Sequence, residues 1–239
     1  MQTDPQGHTE NLMKRLVPGI LAVLMLAACT KDDTLVYNER DMVLINDGKL
    51  LTDNGITFTI AEDGTTSEWK SWQRAYITCD VLRQTAAAEY EIRLTEAHKV
   101  LLKEALTHGQ LPEEEIGDDP IDILYGWVAG DYLNLFTRIA YDPASDRAHF
   151  LNLVYLGEAD RVLRFRLRHN SYGYYYGAPD VEGVPNFGIA YVTFPIGRFL
   201  PESQAAAEVE ISWEWHTVSA GGALLPETEE YSRRIILRR

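Results

Sequence analysis

Between Arg161 and His169 the chain reads RVLRFRLRH, and its side chains alternate without a break. Val162, Arg164, Arg166 and Arg168 fall on one side, and Leu163, Phe165, Leu167 and His169 on the other. A period of two belongs to a strand, whose successive side chains point to opposite faces, and a one-residue slip would carry the arginines into the core. The same period runs through Ile56–Ile60 (ITFTI), Arg74–Leu82 (RAYITCDVL), Glu89–Leu94 (EYEIRL) and Gly130–Ala140 (GDYLNLFTRIA). Only Ala97–Leu106 (AHKVLLKEAL) is ambiguous, allowing a short helix or a strand ending in a helical turn. The expected fold class is all-β.

Five short strands are expected in residues 41–108: Asp41–Ile45, Lys49–Thr52, Ile56–Ile60, Arg74–Leu82 and Glu89–Leu94. Turn signals at Asp47-Gly48, Asp53-Asn54-Gly55 and Asp63-Gly64 separate the first of them. Five strands in so short a span suit a small OB-like barrel. In the fourth strand Ala75, Ile77, Cys79 and Val81 share one parity, and Arg74, Tyr76, Thr78 and Asp80 the other. Cys79 is therefore expected inside as a small hydrophobe. Residues 109–122 (GQLPEEEIGDDPID) carry two prolines, two glycines and a run of acids, and read as a solvated acidic linker between two domains. Residues 123–239 hold six expected strands: Gly130–Ala140, Ala148–Leu156, Arg161–His169, Gly188–Phe194, Ala207–His216 and Tyr231–Leu237. That count without a long helix suggests an antiparallel β-sandwich.

Residues 1–28 read as a targeting segment rather than as fold. Lys14 and Arg15 precede an uncharged run from Leu16 to Ala28, too short for a membrane span, which needs about 20 apolar residues. The run closes on Leu26-Ala27-Ala28-Cys29, which resembles a bacterial lipobox. On that reading Cys29 becomes the lipidated N-terminus and residues 29–40 form a tether. Met13 begins a signal of ordinary shape, so residues 1–12 are expected to lie upstream of the true start. Asp32 and Asp33 follow the cysteine with Thr30 and Lys31 between, a partial match to export signals for the cell surface; the expected place is the outer membrane, facing outward. Removing Cys29 from the fold leaves Cys79 without a partner, which excludes a disulfide framework or a cysteine-pair zinc site. A net charge of −14 disfavours nucleic acid as a partner.

Taken together, the lipobox, LLTDNGITFTI at Leu50–Ile60, GDYLNL at Gly130–Leu135 and LRHNSYG at Leu167–Gly173 resemble the NigD-like lipoproteins. The resemblance spans nearly the whole chain. It implies an N-terminal OB-like domain, a C-terminal β-sandwich and no catalytic residues. In that family an acid usually follows LRHN and its glycine; here Tyr174-Tyr175-Tyr176 stands instead.

Among candidate sites, Tyr172, Tyr174, Tyr175 and Tyr176 fall in a glycine-rich loop, where rings can stack on sugars or pack into a protein partner. His169 shares the apolar parity and is expected in the core, and Asn170 is expected to cap its own turn. In Ile211–Thr217 (ISWEWHT), Glu214 and His216 share one face but lack a third ligand, and Trp213 and Trp215 are expected in the core. The acids Glu113, Glu114, Glu115, Asp118 and Asp119 lack the spacing of a calcium loop. No nucleophile elbow, phosphate-cradling loop or H-E-x-x-H occurs. The expectation is a non-catalytic, lipid-anchored envelope protein without metal or cofactor, whose loops meet a protein partner. The alternative is a carbohydrate-binding accessory of an uptake system, and an envelope hydrolase comes third.

Overall fold

The structure, a computed structural model, describes residues 34–200 and 208–237. Five strands come first: β1 (Thr34–Asn46), β2 (Lys49–Thr52), β3 (Thr57–Asp63), β4 (Arg74–Ala86) and β5 (Glu89–Lys99). They close into a barrel in the order β1-β2-β3-β5-β4, with β3 and β5 parallel. Asp47 and Gly48 both take positive φ, as a two-residue turn matching the twist of β1 and β2 requires. Val43, Leu50, Phe58, Ile77, Val81, Ile92 and Leu94 fill the barrel. Cys79 lies among them, and burial pushes its thiol up to about 12, so it stays protonated and unreactive. Residues 34–40, expected as tether, are strand β1; Cys29 and the targeting segment lie outside the described residues.

Two mixed sheets follow. Strands β6 (Leu101–Leu102), β12 (Asn186–Pro195), β9 (Tyr132–Tyr141) and β8 (Asp122–Ala129) form one, in that spatial order. Strands β14 (Leu224–Ile236), β13 (Glu208–Val218), β11 (Val162–Asn170), β10 (Phe150–Ala159) and β7 (Leu106–Thr107) form the other. Between them lie Leu133, Leu135, Leu153, Phe165, Phe194 and Trp213. Most neighbours are antiparallel, but β13 pairs parallel to β11 because the chain crosses to the facing sheet through β12 before returning. The ambiguous stretch 97–106 ends β5 and then gives each sheet a two-residue edge strand. Strand β8 has no clean alternation and escaped sequence reasoning. Ile123 faces the core, while Tyr125 and Trp127 pack with Phe136 on the other side.

The barrel sits on the outer face of β9 and β12. Arg74, expected on the solvent side of β4, is fully buried there because the sandwich covers that side. Its Nη2 donates to both Asp53 oxygens at 2.7 and 2.6 Å and to Asn134 Oδ1 at 3.0 Å, and its Nε donates to Thr193 Oγ1 at 3.0 Å. Asn134 Nδ2 donates to Asp53, and the Thr193 hydroxyl donates to Asn134 Oδ1. The Tyr132 ring lies 4.6 Å from the guanidinium. Tyr76, Phe136 and Tyr191 stack alongside.

The linker expected over 109–122 is not a solvated connector. The handover from barrel to sandwich comes at Val100, between Lys99 of β5 and Leu101 of β6. Residues 109–122 lie against the sandwich, with a helical turn α1 (Glu113–Ile116) and Ile116 and Ile121 buried. Ile116 packs with Leu106 of β7 and Val154 of β10, and the backbone of the segment finds partners on β10, β11 and β13.

Candidate cleft on the open side of the sandwich

Four consecutive residues at the end of β11 hold the acidic segment. The Arg168 guanidinium donates to the Gly117 carbonyl at 2.6 Å and pairs with Glu113 and Asp118. His169 Nδ1 lies 3.1 Å from the Pro120 carbonyl. Asn170 Nδ2 donates to the carbonyls of Glu114 and Glu115, and its Oδ1 accepts from the Tyr172 N–H, the turn cap expected from sequence. The Ser171 N–H and hydroxyl both donate to Asp119. A side chain on Gly117 would strike the His169 carbonyl at 2.5 Å, so glycine is required where the segment crosses β11. The acids Glu113, Asp118 and Asp119 are thereby engaged by cations or a hydroxyl.

His169 also fixes its neighbour. A carbonyl only accepts, so Nδ1 of His169 carries the proton that reaches Pro120. Burial is the main cause holding the His169 imidazole down to about 4, so it is neutral and its Nε2 accepts. His149 Nδ1, 3.1 Å away, must then donate. That leaves His149 Nε2 as an acceptor at the inner end of β10. Burial lowers the His149 pKa as well.

These residues border a cleft of about 660 Å³. Strands β6 and β7 each add only two residues to the open side of their sheets, pairing with Val192–Thr193 and with Val154–Tyr155. Beyond these short strands the edges of β12 and β10 stand apart, and the gap exposes the rim of the core at Ile139 and Leu151. Tyr141, Tyr172, Tyr174 and Tyr191 stand around it, with Lys99, Asp142, Arg147 and His149 as its ionisable groups. Tyr172 takes a positive φ of 58°, packs edge-on against Phe150, and carries the Arg147 guanidinium 3.1 Å from its ring centroid.

The predicted tyrosine cluster divides. Tyr172 and Tyr174 border the cleft. Tyr176 folds back, 5.5 Å from the His216 ring, and Tyr175 is half-buried without lining the cleft. His216, expected on the outer face with Glu214, is buried. The Tyr176 ring packs on it, and its Nδ1 lies 3.3 Å from the Pro226 carbonyl. Glu214 instead lies 3.7 Å from Arg166 on the outer face. Among the described residues no group of three or more His, Cys, Asp or Glu could hold a metal ion. Sequence reasoning missed Tyr141, Arg147, His149, Ile189 and Tyr191. They come from separate strands and meet only through sheet order, and the Asp142-Pro143 turn was the one local hint.

Among proteins with curated descriptions, none is detectably similar in sequence. A protein of unknown function from Bacteroides vulgatus shares the fold at TM-score 0.61 and 17% identity, over 85% of this chain and 92% of that one. A candidate lipoprotein from Bacteroides fragilis gives 0.57 and 15%, over 84% and 99%. A NigD-like immunity protein from Bacteroides caccae gives 0.53 and 16%, over 82% and 96%. At such identities the likeness is one of fold. The NigD-like C-terminal β-sandwich domain matches residues 104–222, from just after β6 through β13. Through that domain the chain belongs to the NigD-like proteins.

Proposed function

We propose that this is a lipid-anchored envelope protein that binds a protein partner, without catalysis, in the cleft on the open side of its sandwich. The observation that carries the binding site is the cleft itself. Tyr172 and Tyr174 stand over a gap whose floor is the rim of the hydrophobic core, and concave sites of a few hundred cubic ångströms with aromatic walls and a few polar groups are the usual form of a binding site. Anchoring is supported by Leu26-Ala27-Ala28-Cys29 and by the lipoprotein relative. Surface exposure in the outer membrane is supported by Asp32 and Asp33. The absence of catalysis is supported by the sequence, which carries no catalytic motif, and by the engaged acids of the 109–122 segment.

A photocrosslinking residue at Tyr174, in intact cells, tests the site. The expected result is one defined protein adduct that is absent when the probe stands at Leu124, on the far sheet edge. Equal labelling at both positions contradicts it. Cys29→Ala is expected to move the protein to the soluble fraction, and full retention on membranes contradicts the anchor. Four tyrosines around one cleft also suit a sugar, which a glycan array would reveal.

A further inference from the structure

The open edge of β12 identifies the form in which a partner is held. The Thr193 carbonyl accepts from the Lys103 N–H, so the backbone groups of Thr193 face β6 and away from β9. Backbone groups alternate along a strand, and the β12–β9 register from Asn186 to Pro195 has no shift. Phe187 and Ile189 therefore direct their N–H and C=O groups to the same side as Thr193. Gly188 and Ala190 direct theirs to β9, in agreement with the Thr137 hydroxyl, which reaches the Ala190 carbonyl from that side. Strand β6 covers only Val192 and Thr193, and no described strand pairs the outer edge of Asn186–Ile189. Ile189 is 60% exposed. An open edge of this kind, beside a cleft that can take side chains, is a template for an added strand.

The charge of the cleft says what such a strand carries. The molecule as a whole is strongly acidic, at −14, yet the lining has Lys99 and Arg147 against the single acid Asp142. Lys99 stands at the β6 end of the edge. Asn186 pairs with Tyr141, so the loop bearing Arg147 stands at the other. We infer that the cleft binds an extended polypeptide segment as an added strand on β12. Its backbone pairs with Phe187 and Ile189, its alternate apolar side chains enter over Ile139 and Leu151, and acidic residues near its ends meet Lys99 and Arg147. This rests on the cleft being the binding site and names the class of partner it takes.

The test uses a phage-displayed library of random seven-residue peptides, selected on the soluble Cys29→Ala protein. Enriched sequences are expected to alternate apolar residues and to end in an acid. Ile189→Pro removes an N–H that β9 does not use, so the sandwich should still fold, whereas Ala190→Pro removes one that it does. Synthetic copies of the enriched peptides should bind Ile189→Pro at least tenfold more weakly and Ile189→Val within threefold. Independently of any variant, N-methylation of alternate peptide amides should cost tenfold in one register and little in the other. Peptides lost on Tyr174→Ala but indifferent to Ile189→Pro and to N-methylation would overturn strand addition and keep the cleft. Enrichment that ignores Tyr174→Ala as well, no enrichment, or binding of glycans alone would overturn strand addition too, and the first two would also remove the protein-binding reading of the cleft.

Discussion

Two places on the same sheet use similar residues to opposite ends. On the face of β9 and β12 that meets the barrel, Arg74, Asp53, Asn134 and Thr193 are buried in a joint network. A few residues back along β12, Phe187 and Ile189 leave an edge open, and a tyrosine-walled gap lies beside it. The first region is closed because a buried charge without a partner is costly, and Asp53, Asn134 and Thr193 are recruited to Arg74. The second remains open because the strands that could have covered it, β6 and β7, stop after two residues each. Where a fold has buried its charges against one another, as at Arg74 Nη2 and Nε, no surface is left for a ligand, although Arg74 Nη1 is buried there without a hydrogen-bond partner. Where it has not, binding becomes possible.

The largest expected effect is at the closed region. Arg74→Met leaves the Asp53 carboxylate buried without its cation, and a loss of about 3–5 kcal/mol in denaturant unfolding is expected. Arg74→Met with Asp53→Leu should recover part of that loss; no recovery would mean that the network holds more than its central pair.

Acidification is next. His169 is neutral when folded, with its pKa lowered from 6.5 to about 4, so the unfolded chain binds more protons between those values. Stability is therefore full above pH 6.5 and falls as pH drops toward 4, by up to about 3 kcal/mol. His169→Gln should flatten that part of the pH–stability curve.

Asn170→Ala strips two carbonyls of the acidic segment of their donor, and a loss of about 2 kcal/mol is expected. A loss under half of that would mean that the segment is held mainly by its apolar residues.

Asp41 works in the other direction. Burial raises its pKa from 3.8 to about 6, so its stabilising protonated form is lost as pH rises through 6, and at pH 7 its charge is a cost. Asp41→Asn should then stabilise by about 1 kcal/mol at pH 7, after discounting for its partial exposure, and by less at pH 4.

At the open region Tyr172→Ala and Tyr174→Ala should alter stability least, by about 0.5 kcal/mol or less, while removing partner binding. If either variant unfolds the sandwich, the loop is part of the core.

The strands were legible because period two is a local signal: in Arg161–His169 the residues Leu163, Phe165, Leu167 and His169 are buried as expected and Arg164, Arg166 and Arg168 are not, while Val162, on the arginine side, is buried as well. The five barrel strands followed from turn chemistry at Asp47-Gly48 and Asp53-Asn54-Gly55. What sequence could not show was tertiary cover. Arg74 looks like a solvent residue until a second domain lies over it. The 109–122 segment looks like a linker until Arg168, His169, Asn170 and Ser171 are seen to hold it. For the cleft, the loop at Tyr172–Tyr176 was visible as a cluster. Its division, with Tyr172 and Tyr174 at the gap and Tyr176 on His216, depends on how the loop folds back on β13. The opposite wall comes from β9, β10 and β12, which only sheet order brings together.

Residue-resolved amide hydrogen exchange on the unliganded protein tests the contrast most directly. An open β12 edge predicts alternation: rapid exchange at Phe187 and Ile189, and slow exchange at Gly188 and Ala190, whose N–H groups pair with β9. Slow exchange at all four would mean that the edge is already covered and would contradict the open site.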